Sequence, residues 1–168
     1  MKQVIRHDTF ETNSSSVHSL AIPKHTEGKY PSSIHFRIGE FGWDFSDSND
    51  PASYLYTGIL SYYSYKEKEE RDKKLAYLKE VLNKHNIRYI FDEPTWWGSR
   101  DGDGLENGYV DHACELDEFL EAVFATETTL LNFIFYGIVV TGNDNSEDSN
   151  PDCFYYYDKD YDWYHKGN

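Results

Sequence analysis

Between Asp50 and Asn83 the chain carries two consecutive helical patterns with no strand between them, and this constrains the fold more than any other feature. Asp50-Pro51 is a start signal: a capping residue precedes a proline, whose fixed φ suits the first helical position. Tyr54, Leu55, Ile59, Tyr62 and Tyr63 then recur at helical spacing, which predicts a helix over 51–63. A second amphipathic helix is expected from Glu67 to Asn83, with Leu75, Leu78, Val81 and Leu82 on one face and charge elsewhere. Glu69–Lys73 and Glu70–Lys74 are i,i+4 pairs in the favourable orientation. Two helices in succession break the strand–helix alternation that a parallel sheet requires. The expected class is therefore α+β, one compact domain over 1–168 with a mixed or antiparallel sheet packed against about four helices.

The other elements follow from shorter patterns. Lys2 to Phe10 and Val17 to Ile22 read as strands around the turn residues Glu11 to Ser16, which makes 1–22 an N-terminal β-hairpin. Ile34, Phe36 and Ile38 alternate with polar residues as a half-buried strand. Gly39 to Asp50 reads as a loop. Ile87 to Phe91 is a strand closed by Pro94, and Thr95 to Gly108 is a Gly/Asp loop. Helices are expected over Glu115–Phe124, with Leu116, Phe119, Leu120 and Val123 on one face, and over Thr126–Tyr136. Ile138 to Thr141 is a short buried strand and Cys153 to Tyr157 a last one. Residues 158–168 form a tail that docks through Trp163 and Tyr164.

At 168 residues the chain can bury a core without staples. Cys114 and Cys153, its two cysteines, lack the C-x-x-C spacing of a zinc site. Asp111-His112-Ala113-Cys114 has no second cluster to complete a metal site, and Asp101-Gly102-Asp103-Gly104 departs from a calcium loop at its sixth and twelfth positions, Glu106 and His112. No metal or cofactor is expected. P-loop, dinucleotide-binding, G-x-S-x-G and H-E-x-x-H motifs are absent from the sequence. No apolar run reaches the ~20 residues of a membrane span, and the first residues lack the apolar stretch of a signal peptide. The expected location is cytoplasmic, with no membrane partner.

The net charge of −14 repels free nucleic acid and attracts basic protein surfaces. Fifteen tyrosines suit an interface, since the ring is apolar and the hydroxyl wet. Trp96 and Trp97, with Asp101 and Asp103 in the same loop, are candidate partner-binding residues. Packing back onto the core is the alternative for the two tryptophans.

The N-terminal hairpin is the candidate for chemistry. With Thr12-Asn13 as its turn, His7 faces His18 across the strands; a slip of one residue sets Asp8 there instead. Either arrangement, with Arg6 nearby, suits metal-independent cleavage of RNA. One imidazole would take the 2′-hydroxyl proton, the other would protonate the leaving oxygen, and the cation would stabilise the charged intermediate. Arg6, His7 and His18 are thus candidate catalytic residues. Glu11, Asn13, Ser14, Ser15 and Ser16 are candidates for orienting substrate. The alternative is an exposed hairpin in which His, Asn and Ser have no chemical role.

The stretch from Arg6 to Leu20, RHDTFETNSSSVHSL, resembles the N-terminal signature of a group of small proteins from phages and mobile elements of Gram-positive bacteria. Within that group, the size, acidity and hairpin are similar to a type II anti-CRISPR protein that acts on the guide RNA of Cas9. The resemblance implies an inhibitor of a Cas9-type protein with its guide RNA, in the bacterial host cell, with the hairpin as active element. It spans about fifteen residues and carries no catalytic assignments with it. Three functions stay open at this point: a ribonuclease that acts with a protein partner, a non-enzymatic acidic nucleic-acid mimic that blocks a basic groove, and a phage accessory protein with an unrelated partner.

Overall fold

A computed structural model of the protein describes residues 16–24, 29–42, 50–63, 67–97, 104–110, 116–143 and 161–165; of residues 16, 17, 142 and 143 only the backbone is described. The described elements are β1 (Ser16–Pro23), β2 (Ser33–Phe36), β3 (Glu40–Phe41), α1 (Pro51–Tyr62), α2 (Lys68–Lys84), β4 (Arg88–Phe91), β5 (Tyr109–Val110), α3 (Leu116–Val123), α4 (Glu127–Tyr136), β6 (Ile138–Asn143) and β7 (Tyr161–His165). The α+β class and the four helices agree with the sequence reading.

The described strands form three small sheets. β1 is the middle strand of the first, antiparallel to β6 on one edge and to β7 on the other. His18 lies across from Thr141 and Leu20 from Val139. The register with β7 shifts between Ile22 and Pro23, as expected where a proline lacks the N–H a ladder needs. β2 pairs in parallel with β4, and β3 with β5. The second strand of the expected hairpin is therefore present. Its described partners are β6 and β7, and its first strand, Lys2–Phe10, lies outside the described residues. Trp43, Phe45 and the strand expected at Cys153–Tyr157 lie outside them as well. Two expectations are corrected. The segment Gly39–Phe41, read as loop, carries β3, and the tail residues Tyr161–His165 form a strand.

The helix α1 runs through the centre. Asp50 caps it by accepting from the N–H of Ala52, with Pro51 at the first position, as the sequence indicates. Every residue from Ala52 to Leu60 is buried, so the helix has no solvent face over that stretch and the expected stripe is too narrow. Two of its buried side-chain hydroxyls bond the backbone of neighbouring segments. Ser53 Oγ accepts from the Arg37 N–H at 3.2 Å and donates to Asp50, while Thr57 Oγ1 accepts from the Gly39 N–H at 3.1 Å. These bonds hold the link between β2 and β3 against the helix. Gly108 closes on the same link: a Cβ there would meet Ile38 Cγ2 at 2.3 Å and the Gly39 carbonyl oxygen at 2.7 Å.

α2 ends on Asn86, at φ 57°, with the Ile87 N–H donating to the Leu82 carbonyl at 2.9 Å. That left-handed turn satisfies a helix-end carbonyl and sends the chain straight into β4. The pair Glu69–Lys73 forms at 3.1 Å, but Lys73 also bonds Glu70, and Lys74 lies over the Phe124 ring, so the expected Glu70–Lys74 pair is replaced. α3 buries Leu116, Phe119, Leu120 and Val123, the four residues of the expected face. α4 is capped by a reciprocal Thr126–Thr129 pair. One apolar cluster draws on β1, β2, β3, all four helices and β6, with Tyr54 at its centre between Phe41 and Phe119.

Candidate interaction surface

Of the sequence-predicted catalytic residues, His18 is described and Arg6 and His7 lie outside the described residues. His18 is 5% exposed. Its Nδ1 lies 3.1 Å from the hydroxyl of Tyr54, and their rings sit 5.9 Å apart. Complete burial pushes the Tyr54 phenol far above its ordinary range, so that hydroxyl keeps its proton. His18 is thus held on the inner face of a central strand. Of the predicted substrate-orienting residues, Ser16 opens β1 and is described as backbone only. Glu11, Asn13, Ser14 and Ser15 lie outside the described residues.

The two tryptophans part company. Trp97 is 61% exposed. Trp96 is half-buried, bridges in antiparallel sense to Leu105, and carries the Arg71 guanidinium 4.6 Å over its ring. It packs against the core, which was the alternative for loop tryptophans. Asp101 and Asp103 lie outside the described residues.

Sequence patterning missed a third feature, at the C-terminal end of α1. Tyr62, 41% exposed, packs edge-on against Tyr63 with ring centroids 4.9 Å apart. Burial raises the Tyr62 phenol, and Asp117, Glu67 and Glu121 raise it further. The Tyr63 phenol is raised by burial first, then by Tyr62 itself, Glu70, Glu67 and Glu121. The carboxylates acting on the pair come from the N-cap and first turn of α2 and from α3, and all four are exposed. The negative end of the α1 dipole adds to them, with no basic residue in the last turn. An exposed aromatic pair under the influence of several carboxylates can stack on and pair with a cationic side chain. The signal was present in sequence as Tyr62-Tyr63 at a helix end without a basic residue. The contribution of α3 depends on tertiary packing.

Among the described residues no group of three or more His, Cys, Asp or Glu could hold a metal ion, and no helix is long and apolar enough to cross a membrane. The fold and this surface define a small α+β protein with an acidic, tyrosine-bearing patch. No family model, no curated protein and no solved structure matches the chain.

Proposed function

We propose that the chain is a binding protein for a basic partner, acting as an anti-defence inhibitor that docks on a Cas9-type ribonucleoprotein. The observation that carries the binding reading is the exposed Tyr62, packed edge-on against Tyr63 where the exposed acids Glu67, Asp117 and Glu121 act on it. A net charge of −14 would steer such a patch towards the positively charged channel in which Cas9 holds its RNA–DNA duplex. The choice of partner rests on the N-terminal stretch Arg6–Leu20. Binding without catalysis is favoured because His18 is buried against Tyr54, where an imidazole cannot meet a phosphodiester.

The test combines purified protein with Cas9 and labelled guide RNA in EDTA, then measures both guide length and target cleavage. Intact guide with blocked cleavage is expected. The combined substitution Glu67→Gln, Glu70→Gln, Asp117→Asn and Glu121→Gln should relieve the block. Shortened guide that stays whole with His7→Ala or His18→Ala would instead establish a metal-independent ribonuclease built on the hairpin. Active Cas9 with intact guide would remove the partner assignment and leave only the acidic patch.

A further inference from the structure

We propose that the cleft between α1, α2 and the segment after β4 binds the carboxylate of a small organic acid, with Arg71 as its anchor. The open cleft holds about 260 Å³, just under the range of roughly 300–1,000 Å³ usual for ligand sites, and is walled by Tyr56, Leu60, Leu75, Phe91, Pro94 and Trp96. Arg71 and Lys79 line it as well.

Arg71 is 8% exposed, a rare state for an arginine without a close acid. Its ionic neighbour among the described residues is Asp72, whose oxygen lies 3.7 Å from Nε, beyond hydrogen-bond distance. Asp92, also at the cleft, is already engaged. Its Oδ1 lies 2.7 Å from His35 Nε2, its Oδ2 accepts from the Ile38 N–H at 3.1 Å, and its carbonyl accepts from the Tyr56 hydroxyl at 2.9 Å. The guanidinium therefore sits over Trp96, and among the described residues its planar fork of donors has no matched acceptor. Trp96 covers one face of the guanidinium, and the donors along its edge are left for an anion.

The walls select the anion. Asp72, Asp92 and Glu93 border the cleft and would repel a phosphate dianion more than a singly charged carboxylate. The rings of Tyr56, Phe91 and Trp96 in an otherwise polar lining favour a carboxylate attached to a flat body. A carboxylate is also the group that a guanidinium binds through two parallel bonds.

The probe is benzoate, with benzamide as its uncharged counterpart, followed by the Arg71 Nε–H and Trp96 Nε1–H signals in ¹H–¹⁵N spectra of the full chain. Saturable shifts of both signals with benzoate are expected, with a Kd on the order of 1 mM for a ligand of this size. Benzamide should leave them in place, and Arg71→Met should weaken benzoate at least about tenfold. Arg71→Lys keeps the charge but loses the fork and should give a partial loss. If Arg71→Met does not fold, the benzoate–benzamide comparison in the unaltered protein decides alone. Hippurate binding tighter than benzoate would identify a peptide C-terminal carboxylate as the source, and the reverse a free acid. Equal shifts with benzamide, displacement of benzoate by inorganic phosphate at lower concentration, or no saturable shift would each overturn the proposal.

Discussion

Thr57→Val removes one oxygen from the centre of the protein while keeping its shape. Thr57 is fully buried, and its hydroxyl accepts the Gly39 N–H at 3.1 Å, fixing the link between β2 and β3. Valine leaves that N–H without an acceptor, at a cost of about 1–3 kcal/mol. The added methyl recovers up to about 0.8 kcal/mol by burial. The net loss should be about 1–2 kcal/mol, which lowers Tm by about 2–8 °C for a chain of this length. Thr57→Ser restores the acceptor but removes the methyl, costing about 1 kcal/mol through packing alone. The two variants therefore lose stability for different reasons, and amide exchange separates them. The Gly39 N–H should exchange at least about tenfold faster in the valine variant, beyond the global change, and not in the serine variant. Urea unfolding followed by circular dichroism gives the global term. A valine variant as stable as the parent, with Gly39 protection unchanged, would refute the role assigned to this hydroxyl.

Phe119 touches the rings of Tyr54, Phe133 and Trp163, so Phe119→Ala should cost about 3–5 kcal/mol and alter the Trp163 fluorescence; a loss near that of a surface change would mean β7 is not docked there. Gly108→Ala should destabilise strongly, since its Cβ meets the Gly39 carbonyl oxygen at 2.7 Å, and thermal unfolding of the variant checks this. Burial raises the Asp92 carboxyl, but hydrogen bonds from His35 and the Ile38 N–H, with the charges of His35 and Arg37, outweigh it and hold the group below its ordinary range. Its contribution is then complete above about pH 4 and is lost as pH falls through the depressed value. Urea midpoints at about pH 5 and about pH 3 should fall further in the parent than in Asp92→Asn; equal falls would deny Asp92 that role.

The parts legible in sequence were those whose signal is local. The α3 face from Leu116 to Val123, the Asp50-Pro51 start and the apolar face of α2 all follow from periodicity and capping, which neighbouring residues decide. The two-residue strands β3 and β5 have no periodicity to read, and they exist because distant segments meet. For the same reason β7 looked like a tail. In β1, Ser19, Leu20, Ala21 and Ile22 are all buried, so the strand is covered on both faces, which a hairpin read from its turn residues did not anticipate for His18. The spacing also marks Arg71, which the sequence reading passes over. It precedes Leu75 by four positions and Leu78 by seven, so it stands on the apolar stripe, where a cation must be covered by something. What covers it, Trp96, comes from a loop that carries no helical or strand period.

The acidic patch and the Arg71 cleft differ in a way that salt can expose. The patch is exposed, and its attraction for a basic partner is long-range, so raising salt from about 50 to about 500 mM shortens the screening length and weakens it. The cleft holds a nearly buried cation inside a protein of charge −14. A carboxylate approaching it crosses a repulsive field that salt removes, while the contact with Arg71 is short and enclosed and hence little screened. Benzoate affinity should therefore hold steady or rise over the same range in which partner affinity falls. Parallel titrations on one preparation would show the two trends. If benzoate affinity falls together with partner binding, the ligand is held by an exposed cation at the rim, such as Lys79, and not by the enclosed guanidinium.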